Sequence, residues 1–221
     1  RESYLRFMLN LPEEDTRNPN QVEAEIHLIV NEKPYHFTIK SIIALPETSG
    51  FLLKTDKYED SDVAIVDIGG LNVNGVLYQN GYPNENTFFT INEGGNRFKV
   101  ELVDELNRVF VDANLDTTTI DKVLRDGYIR IDKQKSAEII RSFKEHFFQK
   151  IKAQMKARKW STATWAFVFV GGGSLLFEDY IKQDPQFADA VISDNPVWDN
   201  VEGFLEAAKD IAESYVTEKA K

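Results

Sequence analysis

The chain of 221 residues has no cysteine, only three histidines and no long apolar run. Without cysteine it cannot form a disulfide, use a thiolate nucleophile or build a zinc ribbon, which fits a reducing cytoplasm. His27, His36 and His146 lie far apart in sequence, so little remains for a histidine metal site. The longest apolar run, residues 165–170, is far shorter than the roughly 20 residues that span a bilayer. We therefore expect a cytoplasmic protein without a membrane partner.

Positive charge is also scarce, since 26 Lys and Arg stand against 36 Asp and Glu, a net charge of −10. A phosphate backbone would repel this mean field, which argues against direct nucleic-acid binding. Hydrophobic residues make up 42% of the chain and include 15 Phe, enough for one large domain or two small ones. Residues 133–159 are an exception, with nine Lys or Arg against two Glu. That segment is either solvated helix surface or a basic edge for subunit contact or nucleotide phosphate.

The standard phosphate-binding patterns G-x-x-x-x-G-K-[ST] and G-x-G-x-x-G are missing. The chain instead has two glycine turns, in "VDIGGLNVNG" at residues 66–75 and in "FVFVGGGSLL" at residues 167–176. Each follows an apolar strand, and the second also opens a helix. Glycine lets the backbone approach a bound group, and a helix N-terminus adds partial positive charge, so anions fit such a place. Asp67, just before the first turn, can hold Mg²⁺, usually through waters.

Hydrophobic periodicity predicts a mixed α/β chain. The predicted strands are residues 22–31, 34–40, 63–68, 72–79, 87–91 and 165–170, of which the first two form a hairpin. The predicted helices are residues 98–110, 118–125, 133–159, 174–182 and 200–215. The long helix should bury one stripe of apolar side chains: Ala137, Ile140, Phe143, Phe147, Ile151 and Met155. Strands followed by alternating helix and strand favour a mixed sheet flanked by helices, and the polar residues 54–62 are the best candidate for a domain boundary.

The order of five segments resembles one family. Pro46-Glu47, "VDIGGLNVNG", "INEGGNRFKVEL", "FVFVGGGSLLFEDYI" and "NVEGFLEAAK" are similar to the second half of a ParM-like (StbA-like) actin-type ATPase. The resemblance extends from about Val22 onward and implies an actin-like (ribonuclease H-like) ATPase fold. It also implies a fragment, with residues 1–60 as the C-terminal remnant of domain I and residues 61–221 as domain II. The last helix, about residues 200–215, would lie near the interdomain hinge.

The resemblance assigns roles to particular residues. Glu47 takes the position of the acid that orients the attacking water, and Asp67 that of the residue that binds hydrated Mg²⁺. The other implied contacts to the nucleotide are Gly69, Gly70 and Asn72 at the phosphates, Gly94 and Gly95 near the ribose, and Gly171, Gly172, Gly173 and Ser174 at the base and α-phosphate. Where the family often has Thr or Ser, this chain has Leu71-Asn72, so a hydroxyl contact to phosphate is either missing or replaced by Asn72.

The implied function is that of an actin-like protein that binds ATP or GTP with Mg²⁺ and hydrolyses it to control filament assembly. Filaments of this family move plasmid or prophage DNA through a DNA-binding adaptor. We expect the chain alone to hydrolyse nucleotide weakly or not at all, because catalysis needs both walls of the cleft. Two alternatives stay open: a sugar or small-acid kinase of the same superfold, and a non-catalytic interaction domain whose glycine turns are structural.

Overall fold

The computed structural model describes residues 21–41 and 44–219 and divides into two compact units at Pro46–Glu47. The smaller unit contains an antiparallel hairpin of β1 (Gln21–Val30) and β2 (Lys33–Ser41), as predicted. Its turn residues, Asn31 and Glu32, both have positive φ angles, of 49° and 65°, which is typical of the tight turns that join paired strands. The division does not test the assignment of residues 1–60 and 61–221 to actin-like domains, which stays a prediction.

The larger unit is built on a six-stranded mixed sheet. Its strands are β3 (Val63–Ile68), β4 (Val73–Gln79), β5 (Tyr82–Pro83), β6 (Phe89–Ile91), β7 (Ala166–Val170) and β8 (Val191–Ile192). They lie in the order β5-β4-β3-β7-β8, and β6 also pairs with β4. The central strand β3 runs antiparallel to β4 and parallel to β7. All of β3 is buried, as expected for a strand covered on both faces.

The described part of this unit contains six α-helices: α1 (Gly95–Val109), α2 (Ile120–Asp126), α3 (Lys133–Ala157), α4 (Gly172–Leu176), α5 (Glu178–Gln183) and α6 (Asp199–Lys219). Helix α2 ends at Gly127, whose φ of 78° suits glycine at a helix C-terminus. The prediction of one helix over residues 174–182 is wrong, because the backbone leaves helical geometry at Phe177. The break allows the fully buried Phe177 ring to stack on Phe147. None of the described helices is long and apolar enough to cross a bilayer.

Alternate residues of β3 point to opposite faces of the sheet. Ala64, Val66 and Ile68 join the large core that packs under α1 and α3. Val63 and Ile65 join a smaller core on the other face. Asp67 continues this second face at the end of the strand, where the apolar core gives way to polar side chains.

Helix α3 turns its predicted apolar stripe inward. The stripe members in the core are Ile140, Phe147, Ile151 and Met155, which are buried, and Phe143, which is partly buried; Phe148 is buried as well. Two basic residues of α3 are ion-paired, Lys150 with Glu93 and Lys152 with Asp184.

Candidate functional site

Asp67 lies at the C-terminal end of β3, in the centre of the sheet, and is only 6% exposed. Its Oδ2 accepts a hydrogen bond of 2.9 Å from Nδ2 of Asn200, a residue of α6. The site has three glycine turns in chain order, at Gly69–Gly70, Gly94–Gly95 and Gly171–Gly173. The Oδ1 of Asp67 lies against the third, since a Cβ on Gly171 would be 2.3 Å from this oxygen. The two oxygens of Asp67 therefore face different elements of the fold.

The pKa of Asp67 is raised, and burial is the main cause. The hydrogen bond from Asn200 lowers this pKa, because it stabilises the ionised carboxylate. The negative charges of Glu47 and Asp199 raise it again. A cation beside Asp67 would relieve this repulsion.

Glu47 begins a short 3₁₀ turn (Glu47–Ser49) and is exposed. Its Oε2 accepts a hydrogen bond of 3.1 Å from Nδ2 of Asn74. The Asn74 amide is oriented in turn by Thr90, whose Oγ1 donates to Oδ1 of Asn74 across 2.8 Å. Asn74 is the register partner of Asp67 across β3 and β4, and register partners share one face of a sheet. Asn74 therefore lies between the two predicted catalytic carboxylates.

The first glycine turn closes the hairpin between β3 and β4. The N–H of Gly69 donates to the carbonyl oxygen of Asn72 across 2.9 Å, so a phosphate contact from Gly69 requires a shared hydrogen bond. The side-chain Oδ1 of Asn72 accepts from Asn74 Nδ2 across 3.4 Å. Leu71, the residue that departs from the family pattern, is 80% exposed at the tip.

The second glycine turn docks directly on the first. The N–H groups of Gly95 and Asn96 donate to the carbonyl oxygens of Gly69 and Gly70, each across 2.9 Å. A Cβ on Gly94 would lie 2.5 Å from the carbonyl carbon and oxygen of Gly70. Glycine is therefore required at position 94 by the packing of the two turns, independently of any ligand.

The third glycine turn packs against the end of β3. Gly171 has a φ of 79°, and a Cβ on Gly173 would be 2.3 Å from Cγ2 of Ile68. The Ser174 side chain is buried, and its hydroxyl donates to the carbonyl oxygen of Gly171 across 2.7 Å. The hydroxyl of Ser174 is thus used within the turn.

A cleft of about 690 Å³ opens beside these turns. The residues that line it are Gly69, Gly70, Gly95, Asn96, Lys99, Asp121, Leu124, Arg125, Lys144, Gly172, Gly173, Leu175, Leu176, Glu178 and Asp179. Desolvation lowers the pKa of Lys144, and the charge of Asp179 opposes this shift. Six of the predicted site residues do not line the cleft itself: Glu47, Asp67, Asn72, Gly94, Gly171 and Ser174. The third turn joins Asp67 to the cleft, because Gly171 lies against Asp67 and Gly172 lines the cleft.

For two of the glycines that line the cleft, packing does not explain why the residue is glycine. A Cβ on Gly95 would come no closer than 3.7 Å to a neighbouring atom, and a Cβ on Gly172 no closer than 3.4 Å, to Cγ2 of Val197. Both distances are ordinary van der Waals contacts. The missing side chains at these two positions therefore leave space in the cleft rather than in the protein core.

The described residues contain no group of three or more His, Cys, Asp or Glu side chains placed to hold a metal ion. Asp67 fits Mg²⁺ in another way, because this ion keeps several waters and is usually held by one or two carboxylates together with substrate phosphates. His27 and His36 are in contact through their Nδ1 atoms across β1 and β2, although they are nine residues apart.

The two residues that hydrogen-bond the predicted catalytic carboxylates, Asn74 at Glu47 and Asn200 at Asp67, were not among the predicted site residues. A signal existed for Asn74, because a hairpin that closes at Gly69 and Asn72 pairs position 67 with position 74. Asn200 lies 133 residues from Asp67, and no local pattern predicts that contact.

Comparisons with solved structures identify the fold. The chain is similar to the Alp12 filament structure, with 27% identity, a TM-score of 0.62 and coverage of 85% of this chain and 60% of that one. It is also similar to an archaeal actin homologue in complex with ADP (15% identity, TM-score 0.66, coverage 87% and 65%). A 15-stranded ParM filament from Clostridium botulinum is a third match (18% identity, TM-score 0.59, coverage 80% and 56%).

No protein-family model matches the chain, and no curated protein matches it in sequence. The chain spans about 60% of the length of the Alp12 protein in its filament structure. Its mixed sheet, flanked by helices, has the actin-like α/β fold. The predicted resemblance to ParM-like actin-type proteins is confirmed over most of the chain.

Proposed function

We propose that this chain forms part of an actin-like protein that binds ATP or GTP with Mg²⁺ and hydrolyses it to control filament assembly. The observation that carries the proposal is the pair of glycines at positions 95 and 172, which face the 690 Å³ cleft without a packing reason. Both are the first residues of helices and neither has a positive φ, and replacing a glycine by alanine at such a compatible position typically stabilises a protein by about 0.4–1 kcal/mol. Close approach of a ligand to the backbone explains why the chain keeps glycine at both positions.

The chemistry follows from the positions of the carboxylates and the turns. Asp67 would hold hydrated Mg²⁺, which neutralises phosphate charge when bound. Glu47 would orient the attacking water, and its hydrogen bond from Asn74 limits the directions its carboxylate can take. Phosphoryl transfer depends mainly on such positioning and on electrostatic stabilisation. Gly70, Gly95, Gly172 and Gly173, on three successive turns of the cleft wall, would lie along the nucleotide.

Two solved neighbours are described as filaments, and this supports self-assembly as the output of the nucleotide cycle. The cargo in our proposal is plasmid or prophage DNA. Because the chain carries a net charge of −10, contact with DNA would be made by a DNA-binding adaptor rather than by this chain.

Calorimetric titration with ADP, ATP and GTP, each with Mg²⁺ and with EDTA, tests the binding site. We expect Gly172→Ala to weaken nucleotide binding at least several-fold without lowering the melting temperature. The neighbouring Gly171→Ala is the contrasting variant, because its φ of 79° and its contact with Asp67 should make it unstable. Failure of all three nucleotides to bind the wild-type chain would contradict the proposal.

High-speed pelleting with ATP and Mg²⁺ tests assembly, with EDTA as the control. Release of ADP that depends on an added sugar would instead indicate a kinase.

A further inference from the structure

Asn200, the second residue of α6, reaches Asp67 with its side-chain amide, and one half of that amide is unsatisfied. Nδ2 donates to Asp67 Oδ2 across 2.9 Å. Oδ1 is buried and has no hydrogen-bond partner in the described part of the chain. A buried acceptor without a partner costs about 1–3 kcal/mol, so its presence calls for a specific explanation.

The orientation of the amide is set by Asp67. If the amide were reversed, its oxygen would lie 2.9 Å from the Asp67 carboxylate and be repelled. In the observed orientation Oδ1 faces Gly50, where a Cβ would come within 2.7 Å of it. The hydrogen bond to Asp67 is therefore made although it leaves the other end of the amide unpaired.

The start of α6 is fixed by contacts that leave Asn200 little freedom. A Cβ on Gly203 would lie 1.9 Å from the carbonyl oxygen of Gly50, so the helix backbone touches the segment that follows Glu47. Lys54 Nζ lies 2.7 Å from Asp199 Oδ1 and 2.6 Å from Glu202 Oε2. These contacts hold the first turn of α6 on the same segment that carries Glu47.

We propose that Asn200 is a positioning residue for Asp67. It occupies Oδ2 and fixes the plane of the carboxylate, which leaves Oδ1, beside Gly171, as the oxygen available to a hydrated Mg²⁺ ion. Asn200 itself contacts neither metal nor nucleotide in this role. The inference rests on the proposed function, because the metal it concerns is the Mg²⁺ of the bound nucleotide.

The test is the factor by which Mg²⁺ tightens ADP binding, measured as the ratio of the Kd in EDTA to the Kd in Mg²⁺. Loss of a residue that orients a metal ligand typically costs 10–100-fold in metal affinity. We expect Asn200→Ala to lower the ratio at least about tenfold and to leave the Kd in EDTA unchanged. A purely structural role would instead change both Kd values together.

Asn195→Ala is the matched control. Asn195 also donates a side-chain hydrogen bond to a carboxylate, with Nδ2 2.6 Å from Oε1 of Glu202, but it contacts neither Asp67 nor the cleft. For Asn195→Ala, the ratio of the Kd in EDTA to the Kd in Mg²⁺ should equal that of the wild type. Asn200→Ser serves as a second variant if Asn200→Ala does not fold, because the serine hydroxyl is too short to reach Asp67.

The exchange Asp67→Asn with Asn200→Asp separates the hydrogen bond from the position of the carboxylate. The exchanged pair again has an amide donor and a carboxylate acceptor, now with the amide on β3 and the carboxylate on α6. Its stability should therefore exceed that of Asn200→Asp alone. The ratio of the Kd in EDTA to the Kd in Mg²⁺ should stay low, because the carboxylate is no longer at position 67. Recovery of the ratio in this exchange would overturn the inference.

A measurement without nucleotide completes the test. The side-chain amide resonances of Asn200 in ¹⁵N-labelled protein should move in Asp67→Asn and stay in place in Asn195→Ala; unmoved resonances in Asp67→Asn overturn the inference.

A wild-type chain that does not bind ADP contradicts the proposed function and the metal role of Asn200 with it. A wild-type chain that binds ADP, with an unchanged ratio in Asn200→Ala, overturns only the role of Asn200.

Discussion

Gly94 packs so closely on Gly70 that a Cβ added at position 94 would lie 2.5 Å from the backbone carbonyl of Gly70. Two glycine turns that are distant in sequence thus form one backbone structure at the end of β3. The contact separates two reasons for glycine in this site: some glycines are needed for folding, and others leave space for a ligand.

The first prediction concerns folding. Gly94→Ala should destabilise the protein by about 1–3 kcal/mol, the usual cost of an added methyl group in a packed region. Gly95→Ala, one residue further, should not destabilise the protein, because its Cβ would meet no atom closer than 3.7 Å. Urea denaturation of both variants and the wild type measures the difference. Equal stability of the two variants would show that a methyl group at position 94 does not clash with the Gly70 backbone.

A second prediction concerns the orientation of Glu47. Thr90→Val removes the hydroxyl that donates to Asn74 Oδ1, and Asn74→Ala removes the donor to Glu47. Under the proposed function, each should lower single-turnover hydrolysis of bound ATP when it is introduced into the complete actin-like protein, Asn74→Ala by about tenfold or more, since misplaced catalytic groups cost up to about 100-fold. Nucleotide affinity should change little.

A double-mutant cycle checks this coupling. Because Thr90 acts through Asn74, Thr90→Val should have no further effect in the Asn74→Ala background. Additive losses would show that Thr90 acts by another route.

The third prediction follows from Tyr78, which is 2% exposed and accepts or donates a hydrogen bond of 3.1 Å with Thr48 Oγ1. Burial raises the pKa of Tyr78 from 10.0 to about 12. Above pH 10 the unfolded chain loses this proton while the folded chain keeps it, so stability falls as pH rises. The slope is about 1.4 kcal/mol per pH unit until pH reaches about 12.

Tyr78→Phe should remove this part of the alkaline loss, and it should cost about 1 kcal/mol at neutral pH because the hydrogen bond is lost. Tyr82→Phe is the control, since Tyr82 is 78% exposed. Chemical denaturation between pH 9 and pH 12 compares the slopes. Parallel slopes for wild type and Tyr78→Phe would contradict the prediction.

Local patterns in the sequence were sufficient for most of the secondary structure. The apolar run Val63–Ile68 predicts a buried strand, and all six residues are buried. The apolar stripe on residues 133–159 predicts one helix, and that stripe packs into a single core. The break at Phe177 was not predictable, since it depends on rings from α1 and α3 that are distant in sequence.

The site was predictable only in part, for the same reason. Position and residue type identify Asp67 and the glycine turns, but they do not separate glycines that pack, such as Gly94, from those that face the cleft, such as Gly172. That distinction depends on which backbone lies opposite each residue. The contact from Asn200 to Asp67 likewise forms only when α6 crosses Gly50.

The last prediction concerns the ion pairs at the start of α6. Asp199 is 1% exposed and Lys54 is its cationic partner at 2.7 Å. Lys54→Met would leave a buried carboxylate without a counter-charge, which typically costs about 3–5 kcal/mol. Lys209→Met is the matched control, because it breaks the ion pair with Glu206, in which both side chains are about half exposed, and such pairs contribute about 0–1 kcal/mol. Adding Asp199→Asn to Lys54→Met removes the unpaired charge and should restore part of the lost stability. If Lys54→Met proves no more destabilising than Lys209→Met in urea denaturation, the Lys54 ion pairs do not hold α6 in place.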